Sequence, residues 1–176
     1  GVGKTVIATS VTLGSVASAS TNGALAQVIP DDTLGSENSR VVPIDALNQR
    51  IDGGALRDKV LFHSFQEFGV PEGSGVIFSN PDGVGNILSR VTGENPSNID
   101  GRLGVAGPAD LFLINPHGVI FGPDARLEMS GDFVASTADS YVLPDGSEFS
   151  ASNPGTAPLL DISDVDVPIG LRFENG

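Results

Sequence analysis

The chain has 176 residues, with 23 Gly, 12 Pro, no Cys and no Trp, a formal net charge of −13 and a pI near 4.2. That charge excludes nucleic acid and anionic membrane surfaces as partners, because both demand a positive face. The lack of Cys excludes disulfides, thiolate catalysis and Cys-ligated zinc, while 39% apolar residues argue for one domain with a packed core.

Residues 1–26 carry one charge, Lys4, and no acid. A small-residue, weakly apolar stretch from Val6 to Ala19 precedes Ala24-Leu25-Ala26, an Ala-x-Ala site followed by Gln27. This is the layout of a secretory signal peptide cleaved after Ala26, expected to lack its natural beginning. Gly1-Val2-Gly3-Lys4-Thr5 looks like the end of a phosphate-binding loop, but the Ser/Thr/Gly-rich stretch after it is a poor helix, so a nucleotide site is rejected. Residues 27–176 form the remaining domain.

Past a polar, turn-rich stretch to Ser39, Val41-Val42-Pro43-Ile44 predicts a first edge strand, since Pro lacks a donor. Ile51-Asp52-Gly53-Gly54-Ala55-Leu56 reads as a short apolar pair on a Gly-rich turn. Val60 to Val70 alternates with neither face cleanly apolar, which predicts a half-covered strand with a bend. His63 within it has no ligand spacing around it and is expected to be hydrogen-bonded at the sheet margin. Seven short strands follow, at Val76–Ser79, Asn86–Val91, Asn98–Leu103, Asp110–Ile114, Gly118–Phe121, Ala125–Met129 and Phe133–Ser136. Gly, Pro, Asn and Asp stand between them, and no stretch keeps a helical apolar period. Tyr141 to Gly176 looks looser, with an exposed strand around Ile162, Val165 and Val167. The last residues, Leu171-Arg172-Phe173, read as another strand interrupted by the end of the sequence, as in the N-terminal piece of a longer protein.

Two stretches share a corner, Val76-Ile77-Phe78-Ser79-Asn80-Pro81-Asp82-Gly83 and Leu111-Phe112-Leu113-Ile114-Asn115-Pro116-His117-Gly118. Pro fixes φ and Gly permits φ > 0, so each reads as strand, sharp corner, strand. Ile99 and Val119, Val91 and Leu111, and Phe112 and Phe133 recur at about twenty residues, the length of one turn of a three-sided β-solenoid. A β-sandwich is the alternative. In a solenoid each coil buries its apolar side chains only against its neighbours, and Asn at repeated corners can bond along the axis.

The run Asn80 to Gly93, followed by Leu111 to Gly122, resembles the two-partner-secretion domain, the haemagglutination-activity domain of filamentous-haemagglutinin-like exoproteins. Ile51-Asp52-Gly53-Gly54 and Leu61-Phe62-His63-Ser64-Phe65 are similar to its cyanobacterial branch. The family carries two Asn-Pro motifs, and here Asp82-Gly83 stand in place of Asn-Leu, and His117 and Val119 in place of Asn and Ile. The resemblance implies an all-β fold, a right-handed parallel β-helix with an N-terminal cap and extra antiparallel hairpins. It implies export by the general secretory machinery and recognition by an outer-membrane transporter, through its periplasmic docking domains and barrel. Folding would be nucleated outside, with the product secreted or at the cell surface. The candidate recognition or corner residues are Asn80, Pro81, Asn115, Pro116 and Gly118, and the candidate cleavage residues are Ala24, Ala26 and Gln27. A monomer without cofactor, metal or stable membrane insertion is expected, and not an enzyme. The alternatives are a glycan-binding adhesive module and a carbohydrate-active β-helix enzyme, the latter using Asp100, Asp110, Asp124 and Arg102. Asp52-Gly53 and Asp145-Gly146 are calcium-like turns, but the nonapeptide calcium repeat is missing.

Overall fold

The computed structural model describes residues 26–159 and 170–174. Ala24 and the proposed signal segment lie outside them, as do Ile162, Val165 and Val167. The described residues form sixteen strands and one 3-10 turn, Gly35–Glu37. In chain order the strands are β1 Gln27–Pro30, β2 Ser39–Pro43, β3 Asn48–Gly53, β4 Ala55–Arg57, β5 Val60–Gly69, β6 Gly75–Phe78, β7 Asn86–Val91 and β8 Ser97–Ile99. They continue as β9 Arg102–Val105, β10 Asp110–Ile114, β11 Val119–Phe121, β12 Arg126–Glu128, β13 Phe133–Ser136, β14 Ser140–Val142, β15 Glu148–Ser150 and β16 Gly170–Arg172.

They wind into a three-sided β-solenoid of about four turns. One side stacks β5, β7, β10 and β13 in parallel, the second stacks β3, β6, β9 and β12, and the third stacks β8 and β11. Strand residues alternate in direction, so every second one points inward. On the first side Leu61, Ile87, Leu111 and Phe133 lie in one inward row. Val76, Leu103 and Leu127 do so on the second side, and Val70, Ile99 and Phe121 on the third. Ile51, Phe65 and Phe78 fill the interior between them, each large side chain contributing about 2 kcal/mol on burial.

The N-terminal cap and the extra hairpin are both present. β1 runs antiparallel to β5 and β2 antiparallel to β3, with Ala26 and Val28 in the interior core. β2 is the sheet edge that Pro43 requires. β14, β15 and β16 form a separate antiparallel sheet.

The repeat length and several local expectations are corrected. The repeat is longer than twenty and shortens along the axis: Leu61, Ile87, Leu111 and Phe133 are 26, 24 and 22 residues apart. Ile99 therefore sits over Phe121, not Val119, and Leu111 pairs Ile87 and Phe133, not Val91. The expected strand Asn98–Leu103 is two strands on different sides, broken at Asp100-Gly101. Gly101 is buried there, and a Cβ would meet the Pro71 and Ser74 carbonyls. The Gly53-Gly54 turn separates two strands, β3 and β4.

Val60 to Phe65 is buried throughout, not half-covered. Its outward residues Val60 and Phe62, with Leu88 and Ile114, meet Tyr141, Leu143 and Phe149 of the hairpin sheet in a second core. In the stretch starting at Tyr141, the residues Tyr141, Leu143, Phe149, Ala151 and Ala157 are thus buried, whereas 152–156 are exposed. His63 is likewise not marginal: it lies inside the solenoid with no exposed surface.

Candidate functional site

The two Asn-Pro motifs occupy different corners. Asn80-Pro81 joins β6 to β7, from the second side to the first, whereas Asn115-Pro116 joins β10 to β11, from the first side to the third. They do not stack on each other. Each instead ties its own corner to the adjacent coil.

At the first corner the Asn80 amide donates to the Pro81 carbonyl at 3.2 Å and the Val84 carbonyl at 3.1 Å. Its Oδ1 accepts the Ala109 N–H of the next coil at 2.9 Å. That coil must approach closely: a Cβ on Gly107 would stand 2.7 Å from Asn80 Cβ. Gly83 closes the turn at φ 84°. Asn80 is half-buried, and Pro81, Asp82 and Gly83 are exposed.

At the second corner Asn115 is 0% exposed. Its amide donates to the Asn95 carbonyl and to Ser97 Oγ of the previous coil, both at 3.0 Å. Its Oδ1 accepts the His117 N–H at 2.9 Å, the Asx turn that Asn favours. The Gly118 N–H donates to the Asn115 carbonyl at 3.0 Å, with φ 123° at Gly118, and the Gly118 carbonyl accepts the Ser97 N–H at 2.9 Å. Three side-chain bonds in a dry site leave Asn115 no free polar atom for an outside partner. Pro116 is half-buried and His117 is exposed. Both line a polar cleft with Asp139, Ser152 and Glu174 of the hairpin region.

Of the acids proposed for catalysis, Asp100 and Asp124 share one corner and Asp110 lies at another. Asp100 accepts the Asp124 N–H at 2.9 Å, at the corner between the third and second sides. Asp110 accepts the Asp132 N–H at 2.7 Å at another corner. Arg102 points outward from the second side and donates to Asn48 Oδ1 at 2.6 Å. Asp100 and Asp110 thus repeat what Asn80 does, accepting a backbone N–H from the next coil. Carboxylates of Glu72, Asp100 and Asp124 come within 4.8 Å of one another where three coils turn. The calcium-like acids are engaged elsewhere. Asp52 pairs Arg50 at 2.8 Å, and that bond holds its carboxyl down at about 2. Asp145 accepts the Ser147 N–H at 2.9 Å.

The most connected polar group is one that sequence reading passed over. Arg90, in β7, is 1% exposed. It donates to Ser64 Oγ, Thr33 Oγ1 and the Ser150 carbonyl at 2.8 Å, and to the Gly155 carbonyl at 2.5 Å. Its guanidinium lies 3.9 Å over the Phe149 ring. The Thr33 and Ser64 hydroxyls donate onward to Asp31 at 2.5 and 2.8 Å, as does Thr92 at 2.5 Å. Two hydroxyls therefore relay between guanidinium and carboxylate. Burial pushes the Asp31 carboxyl up, but these hydrogen bonds outweigh it and hold the group below its usual range. Burial lowers Arg90 to about 10, against the pull of Asp31. Cap, solenoid and hairpin sheet meet at this one side chain. The available signal was a lone Arg in an apolar strand, which reads as an outward solvated residue until its cover is known.

His63 accompanies it on the interior side. Its Nδ1 is 2.8 Å from Ser39 Oγ, and that hydroxyl also accepts the Ser64 N–H at 3.2 Å. Burial pushes the imidazole down to about 3, so it is neutral.

A family model described as TPS secretion domain matches residues 26–175. The heme/hemopexin-binding protein of Haemophilus influenzae is 35% identical over 89 residues, 51% of this chain and 9% of that protein. The chain therefore spans less than a tenth of that relative's length. No solved structure matches.

Proposed function

The chain belongs to the TPS secretion domain family, and from that premise we propose that it targets an exported protein to an outer-membrane transporter and nucleates its folding, without catalysis. The general secretory machinery delivers the chain to the periplasm, with cleavage between Ala26 and Gln27. Periplasmic docking domains of the transporter engage it there, and it folds at the cell surface or beyond. The family match carries this reading. The solenoid supports it: among the described residues β1 and β2 close one end, while β11, β12 and β13 at the other pair on one side only. The open coil presents the edges on which a further coil can form.

Burial divides the candidate residues between two roles. Asn115, fully enclosed, shapes the coil and is readable by a transporter only before folding. Pro81 and His117, exposed at the two corner tips, are readable in either state. The test is co-expression with a candidate outer-membrane transporter of this secretion type. Expected is release to the medium with the transporter and periplasmic retention without it. Equal release in both strains would overturn the reading.

A further inference from the structure

The outward face of the second side carries a trough across its stacked strands. Outward residues form two rows there, Asn48, Gly75 and Arg102 in one, and Ile77, Gly104 and Glu128 in the other. Gly75 and Gly104 have no side chains, which leaves a hollow of about 200 Å³ over β3, β6, β9 and β12. Ile77 and Ile44 are its apolar lining, and Asp45, Asn48, Arg102 and Glu128 its polar lining. One hydrogen-bond chain fixes the polar groups. Asp45 accepts the Asn48 amide with both carboxylate oxygens, at 2.9 and 2.8 Å, and Asn48 Oδ1 accepts the Arg102 guanidinium at 2.6 Å. Gly75 makes that reach possible, since a Cβ there would stand 2.6 Å from Asn48 Oδ1 and 3.3 Å from the guanidinium. On its other side Arg102 faces Glu128 at 4.0 Å, beyond hydrogen-bond length, so both keep capacity for a third group.

We propose that this trough binds one ring of a neutral sugar. A hydroxyl both donates and accepts, and the space between Arg102 and Glu128 offers it an acceptor and a donor side by side. Adjacent ring hydroxyls take the guanidinium and the carboxylate as a pair, while the C–H face of the ring lies on Ile77 and Ile44. The rim disfavours ionic ligands of either sign. Arg102 repels a cation that enters beside Glu128. Asp45 and Glu128, in a chain of net charge −13, repel an anion that enters beside Arg102. The hollow is smaller than a site for a drug-sized ligand, so a single ring enters and the rest of a glycan lies outside. The lining is preformed, because Asp45 holds Asn48 and Asn48 holds Arg102, which limits the ordering cost of binding. Neither Asn-Pro corner lines the trough, so the domain holds sugar with residues separate from its targeting candidates.

Saturation-transfer NMR on the full chain tests this. The probes are the methyl glycosides of glucose, galactose, mannose and N-acetylglucosamine, with acetate and methylammonium as ionic controls. Expected is saturation of the ring protons of at least one glycoside, with a millimolar dissociation constant, and no saturation of either ion. Arg102→Ala and Glu128→Ala each remove one partner and weaken that glycoside about tenfold. Both side chains are exposed, so the fold is kept, and circular dichroism checks it. Arg126→Ala, in the same outward row as Arg102 but outside the trough, leaves the affinity as in the parent. The proposal is overturned if no glycoside is saturated, or if either ion binds or displaces the glycoside. It is equally overturned if binding survives both trough substitutions unchanged, or if Arg126→Ala weakens it as much as they do.

Discussion

Replacing Asn115 by Ala removes three hydrogen bonds from a site with no exposed surface. Each contributes about 1 kcal/mol net, and the buried Ser97 hydroxyl loses its amide donor, so the expected loss is about 3 kcal/mol. Asn80→Ala also removes three bonds, but from a half-buried corner where water takes their place, and about 1 kcal/mol is expected. The assay is urea unfolding of both variants beside the parent. With a slope of about 2 kcal/mol per molar urea, the Asn115→Ala midpoint falls by about 1.5 M and that of Asn80→Ala by about 0.5 M. Secretion efficiency measured on the same variants should fall in the same order. An Asn115→Ala domain within about 0.5 kcal/mol of the parent that is nonetheless retained in the periplasm would refute the reasoning. Asn115 would then be a contact residue, not a corner residue.

The buried His63 makes stability depend on pH. The unfolded chain takes up its proton near 6.5 and the folded chain only near 3. The contribution is therefore complete above 6.5 and declines as pH falls, by about 1.4 kcal/mol per unit, reaching about 3 kcal/mol at pH 4. Denaturation midpoints measured across that range should show the slope, and His63→Phe should flatten it. Arg90→Met should cost about 3 kcal/mol, since it strands Thr33, Ser64 and two carbonyls around a buried gap. Limited proteolysis should then cut first between β14 and β16. Tyr141→Phe removes a 2.7 Å bond to the Ser89 carbonyl and should cost about 1 kcal/mol in the same urea assay.

The coils were legible because their signals are local. Gly, Pro, Asn and Asp at the corners, and apolar pairs between them, placed β6, β7, β10, β11, β12 and β13 to within about two residues. The Asp100-Gly101 break was missed because the apolar residues Ile99 and Leu103 fit one alternating strand. Only the close approach of the preceding coil, at Pro71 and Ser74, forces the corner. Leu61 to Phe65 looked ambiguous because both faces of β5 are covered, one by the solenoid interior and the other by the hairpin sheet. That cover is contributed by Tyr141 and Phe149, some eighty residues later, beyond the reach of any window of local pattern. Arg90 was passed over for the same reason, whereas His63 is buried on the interior face against Phe65 and Phe78. The Asn-Pro motifs were visible, but their assignment to different corners was not, because it depends on counting sides and not residues.

The hairpin excursion begins and ends at one place. Asp139 precedes it and accepts the backbone N–H of Glu174, 35 residues later, at 2.8 Å. A segment whose two ends are pinned together can change length at little thermodynamic penalty, because loop closure grows only logarithmically. The coil beneath is indifferent to what the excursion carries, except for the few residues that seat on Phe62, Leu88 and Arg90. This makes the Asp139–Glu174 segment a natural insertion point, where engineers can graft a tag or epitope and lineages can diverge in ornament while the winding stays intact.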